Sequence, residues 1–186
     1  MSGIVQVGGV ALASHDSGTD KVSLDSGTVF PAGHVLNVVQ AVETETDDTT
    51  SGSFEQCAGL SVTIIPSSMS SKILVLCDVN LGNHVADYFT HYRIVRDTTP
   101  IHIGDAAGDR VRATGVYRDG SPQTIGNLGG KYLDSPNKDT ATIYKIEWRV
   151  ETGGGSVGYL NRTMSDTDNT VYPRTASSIT VMEISG

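Results

Sequence analysis

Between Thr140 and Glu151 the chain reads TATIYKIEWRVE, with Tyr144, Ile146, Trp148 and Val150 alternating against Lys145, Glu147 and Arg149. Successive side chains of a strand point to opposite faces, so this strict two-residue period puts one apolar face inward and one charged face outward. A stretch rich in Asp, Ser, Pro and Asn precedes it, as expected of the turn that launches a strand. The C-terminal run SSITVMEISG obeys the same grammar, with Ile179 and Val181 on one face and Met182 and Ile184 on the other. Repeated along most of the chain, the pattern predicts a protein of short antiparallel strands.

Composition agrees with this reading. The 186 residues suit one domain plus an arm, and 21 glycines among many Ser, Thr and Asp fit a fold with many turns. Charged residues are only 18% of the chain, and no heptad repeat suggests a coiled coil. Further strands are expected at His34–Val42, Leu60–Ile65, Lys72–Asn80, Tyr88–Arg96, Arg112–Tyr117, Gln123–Leu133, Ser156–Asn161 and Ser178–Ser185. With Thr140–Glu151 these make an all-β antiparallel sandwich, a jelly roll of about eight to ten strands. KILVLCDV, from Lys72, is apolar on both faces and reads as a central strand covered on both sides.

Residues 1–30 differ from the rest. Ile4, Val5, Val7, Val10 and Leu12 fall in short apolar pieces separated by Gly, Ser and Asp. No such piece builds a core of its own, so the segment is expected to be an extended arm that gains order on a partner. The organisation expected is therefore an arm over residues 1–30 and a head domain over 31–186.

The formal net charge of −8 argues against a nucleic-acid partner, since binding a polyanion calls for a basic face. The first residues lack the basic flank and apolar core of a signal peptide, and no run is long enough to span a membrane. Two cysteines, Cys57 and Cys77, read as reduced core thiols, with a disulfide left open.

Four segments carry a resemblance. PAGHVLNVVQ, VTIIPSSMSSKILVLCDVN, GGKYLDSPNKDTATIYKIEW and SSITVMEI, in this order over residues 28–186, resemble the small β-rich heads of tailed-phage fibre proteins. Such heads are similar to the trimeric jelly rolls of the complement and tumour necrosis factor superfamily. The resemblance implies a homotrimer whose apolar strand faces, carrying Val75, Cys77, Tyr144, Ile146 and Trp148, form core and trimer interface. It also implies a virion-docking arm carrying Ile4, Val5, Val7, Val10 and Leu12, and variable loops facing a host receptor. The chain departs from long fibres in having no collagen-like, coiled-coil or β-helical shaft. A capsid decoration protein that stabilises the phage head is the alternative role. Either way the expected location is the virion surface, after assembly in the host cytoplasm.

Constellations of catalysis are missing from the sequence. There is no GxSxG elbow, no P-loop lysine behind ETGGGSVG, and no pair of carboxylates that stands out for hydrolysis. A polysaccharide-degrading tailspike is the enzymatic rival; the chain is expected not to be an enzyme and to hold no cofactor or metal. His84, Asp87 and His91 share the spacing of a helix face but sit in a stretch that reads as strand. The acidic groups Glu43, Glu45, Asp47, Asp48 and Asp166, Asp168, Asn169 supply oxygen ligands without the glycine and distant glutamate of an EF-hand loop. Tyrosines are the better lead, because a flat apolar ring with a polar tip suits both sugars and protein surfaces. Tyr88, Tyr117 and Tyr172 are the candidate receptor contacts.

Overall fold

The computed structural model describes residues 3–7, 10–16, 18, 21–24, 30–84, 88–118, 120–121 and 123–186. The chain forms two compact units, Met1–His34 and Val35–Gly186. In the first unit, β1 (Gly3–Val7), β2 (Val10–Asp16) and β3 (Lys21–Leu24) make an antiparallel sheet in that order. The segment expected as an extended arm thus carries a three-stranded sheet. Each short β-prone run pairs its backbone with the next, which satisfies the N–H and C=O groups that a lone extended strand leaves open.

The second unit contains β4 (Val35–Glu43), β5 (Asp47–Thr49), β6 (Glu55–Ile64), β7 (Lys72–Asn83), β8 (Thr90–Arg96), β9 (Thr99–Ile101), β10 (Gly115–Tyr117), β11 (Gly126–Asp134), β12 (Thr142–Val150), β13 (Gly158–Leu160) and β14 (Ser177–Ile184). They form two antiparallel sheets. The larger runs β4–β14–β7, with β11 along the free side of β7 and β13–β5 beyond the end of β14. The smaller runs β10–β8–β12–β6, with β9 also paired to β8. Every described element is a strand, so the all-β sandwich expected from the two-residue period is what the chain forms.

The alternation decides the core. Tyr144, Ile146 and Trp148 of β12 are buried with Tyr92 and Ile94 of β8 and Leu60, Val62 and Ile64 of β6. Across from them lie Ile73, Val75, Cys77, Val79 and Leu81 of β7 and Ile179 and Val181 of β14. All of these core residues belong to Val35–Gly186. β7 is covered on its inner face only; on its outer face Leu74 and Leu76 stay half-buried.

Pairing fixes two ends of the sandwich. At one end β4 begins at Val35, opposite Ile184, beside Lys72, Asp134 and Arg96. At the other, β4 finishes opposite Ser177, and β7, β12 and β10 finish near Thr90. The chain thus enters the sandwich at one end, while residues 44–46, 50–54, 151–157 and 161–176 connect strands at the far end.

Candidate functional site

The far end gathers the tyrosines. Tyr88 is half-buried, its ring against Gly153 and Gly154, where a Cβ would stand 2.8 Å and 3.2 Å from its atoms. Gly154 and Gly155 have φ of 57° and 76°, a conformation glycine adopts without strain. The glycine run ETGGGSVG is accordingly a tight turn between β12 and β13. Asn83 Nδ2 donates to the Tyr88 carbonyl at 3.2 Å, which ties this loop to the end of β7.

Tyr172 is half-buried on the wall of a polar cleft of about 320 Å³ lined also by Asp166, Thr167, Asp168, Asn169 and Arg174. The Tyr172 N–H donates to the Asn169 carbonyl at 3.0 Å, and Arg174 grips Asp166 with bonds of 3.0 Å and 2.7 Å. Tyr117, by contrast, is no surface residue. It is 7% exposed within the core cluster and its hydroxyl bonds Thr124, because period two turns it inward on β10.

Val75, Cys77, Tyr144, Ile146 and Trp148 are all buried between the two sheets of a single chain. They are therefore spent inside the sandwich, and any contact with another copy uses other side chains. Ile4, Val5 and Val7 lie on β1 and Val10 and Leu12 on β2; of their side chains only that of Ile4 is described, and it is exposed.

The groups weighed as metal ligands stay apart. Asp166 is occupied by Arg174; Glu43 accepts from the Glu45 N–H at 2.7 Å, and Asp48 meets Arg162 at 3.4 Å. Among the described residues no three His, Cys, Asp or Glu side chains converge on one point. His84 is exposed at the end of β7, His91 lies on the outer face of β8, and Asp87 lies outside the described residues. Burial, helped by Arg149 across the strand pair, holds the His91 imidazole below its ordinary pKa, with Glu151 opposing. His91 Nδ1 and Arg149 Nε are both buried and make no hydrogen bond.

Cys57 and Cys77 are free and buried, and burial raises both thiols, Cys77 to about 11. A polar clamp that the sequence did not reveal joins the sheets at the opposite end. Asp134 of β11, 3% exposed, accepts from Arg96 of β8 at 2.9 Å and 2.8 Å and from the Tyr144 hydroxyl of β12 at 2.7 Å. Burial and this carboxylate together raise the Tyr144 phenol far above its usual range.

No family model matches the chain, and no curated protein does. Two solved structures are similar in chain path. One, the structure of infectious bursal virus derived T=1 particles, has 11% identity and a TM-score of 0.43 over 88% of this chain and 41% of that one. The other, of infectious bursal disease virus Gx strain, has 14% identity and a TM-score of 0.40 over 89% of this chain and 45% of that one. This chain thus spans less than half the length of either, and a likeness this slight carries no role across.

Proposed function

We propose that this chain is a non-enzymatic structural protein of a tailed-phage particle, a short tail fibre or fibre head that mediates attachment to the host. Residues 1–30 dock it on other virion proteins, and the far-end loops face a host-surface receptor. The observation that supports this is the polarity of the sandwich. The chain enters at Val35, at one end, and Tyr88, Tyr172 and the polar cleft lie on loops at the other.

At the cleft, the Tyr172 ring beside the Asp166–Arg174 pair and Asn169 combines a flat apolar surface with planar polar groups. This is the chemistry that holds a polyhydroxylated ligand, by ring stacking and paired hydrogen bonds. Assembly on the particle takes place in the host cytoplasm, and self-association multiplies weak receptor contacts.

Deletion of residues 1–28 tests the docking role. The truncated protein is expected to keep the far-ultraviolet spectrum and cooperative unfolding of the sandwich yet be absent from purified particles. A truncated protein that still incorporates would refute it.

A further inference from the structure

One edge of the smaller sheet is interrupted. Both β9 and β10 pair with the side of β8 that faces away from β12, each along one half of the strand. Between them residues 102–114 leave the sheet. The base of this excursion is tied by the Gly104 N–H, which donates to the Ala113 carbonyl at 3.3 Å, and by Arg112 Nε, which donates to the Gly104 carbonyl at 2.7 Å. An irregular loop approaching about 12–15 residues is uncommon in a compact domain and usually functional.

Beside this base and Tyr132 of β11 lies an open cleft of about 700 Å³. Small-molecule sites span roughly 300–1,000 Å³. Pro100, Ile101, Ile103 and Ala113 supply the apolar wall, and His102, Thr114 and Tyr132 the polar side chains. None of the lining residues is Asp, Glu, Lys or Arg.

His102 has a φ of 52°, a conformation uncommon outside glycine. Asp97, Asn137 and Asn161 share that conformation, and each uses its side chain to bond nearby backbone. The His102 imidazole instead stacks on the Tyr132 ring, with centroids 5.2 Å apart and planes at 27°. Among the described residues neither this imidazole nor the Tyr132 hydroxyl makes a hydrogen bond. Tyr132 is half-buried against the core, so the ring on which His102 rests is fixed.

We propose that this cleft binds an uncharged saccharide ring. A sugar offers C–H faces to the apolar wall and hydroxyls to the imidazole nitrogens and the Tyr132 hydroxyl. Thr114 Oγ1 accepts from the Ile94 N–H at 3.0 Å and keeps its own proton to give. An anion would find no Lys or Arg in the lining, and a cation no carboxylate. A wholly apolar molecule would strip water from these polar groups and return no hydrogen bond, which is the costly case. Because Tyr132 already holds the imidazole, little ordering is left for binding to impose. The site shares no residue with the cleft around Tyr172 and stands apart from the role on the particle.

The test is titration of the full chain with glucose, galactose, mannose and N-acetylglucosamine, followed by NMR at the His102 imidazole and the Tyr132 ring. At least one sugar is expected to shift both signals saturably, with a Kd of about 1 mM for a single ring in an open cleft. Tyr132→Phe keeps the ring and its packing, and should weaken the binding read at His102 about three- to tenfold by removing one hydrogen bond. His102→Asn tolerates the left-handed backbone, and should weaken the binding read at Tyr132 more than tenfold. Reading at these two residues keeps any binding around Tyr172 out of the measurement. No shift with any of the four sugars, unchanged affinity in both variants, or glucuronate bound more tightly than glucose would overturn the inference.

Discussion

Replacing Asp134 by alanine tests whether the two sheets are locked at the end where the chain enters. The side chain of Asp134 is 5% exposed and that of Arg96 24%. Removing the carboxylate leaves a buried phenol with no acceptor and takes from Arg96 the carboxylate it is bonded to. Breaking a buried pair costs about 3–5 kcal/mol, and the partial exposure of Arg96 puts this case at the lower end, about 3 kcal/mol. In a chain of this size that lowers the unfolding midpoint by roughly 6–12 °C.

Tyr144→Phe removes a single bond to a charged acceptor and should cost about 1.5–3 kcal/mol. Because both changes break the same bond, the double variant should cost less than the sum, by about 1–2 kcal/mol. Urea unfolding followed by Trp148 fluorescence is the assay, since the one tryptophan of the chain is 1% exposed in the core. A loss below ~1 kcal/mol for Asp134→Ala, or strict additivity with Tyr144→Phe, would refute the clamp.

Other predictions follow from single sites. The depressed pKa of His91 means the fold favours the neutral ring, so stability should decline as pH falls below the ordinary imidazole value of 6.5. His91→Gln should flatten that decline, measured as the unfolding midpoint against pH. Cys77 is raised from 9.0 to about 11, so native protein should resist alkylation at about pH 8, and stability should fall as pH climbs from 9.0 towards 11. Thiol labelling as fast in native as in unfolded protein would contradict this burial. Gly130→Ala would place a Cβ 2.8 Å from Cys77 Sγ and 3.1 Å from Tyr92 Oη in the core. Overpacking of this kind should cost about 1–3 kcal/mol in urea unfolding.

Much of the fold was legible because burial imposes period two. Tyr144, Ile146 and Trp148 turn inward and Lys145, Glu147 and Arg149 outward, as their alternation requires. The short strands were not legible. β5 is Asp-Asp-Thr inside an acidic stretch, and β9 is Thr-Pro-Ile after Asp97, whose φ is 53°. Both exist because neighbouring strands offer partners, which local sequence does not record. β6 starts already at Glu55, and its ladder to β12 shifts register between Lys145 and Glu147, opposite Gly59 at φ 69°. Such a bulge interrupts the alternation by which a strand is read.

Sites were harder to read than strands. Period two separates two faces but does not say what covers each one. Tyr117 and Tyr88 look alike in sequence, yet one is in the core and the other rests on a glycine turn. The Asp134 clamp joins residues from three strands, so only their assembly brings it together.

The most direct test of the proposed role is quantitative analysis of purified phage particles for this chain. The account predicts the intact protein in a fixed number of copies per particle, lost when residues 1–28 are removed. A protein abundant in infected cells but absent from particles would contradict it.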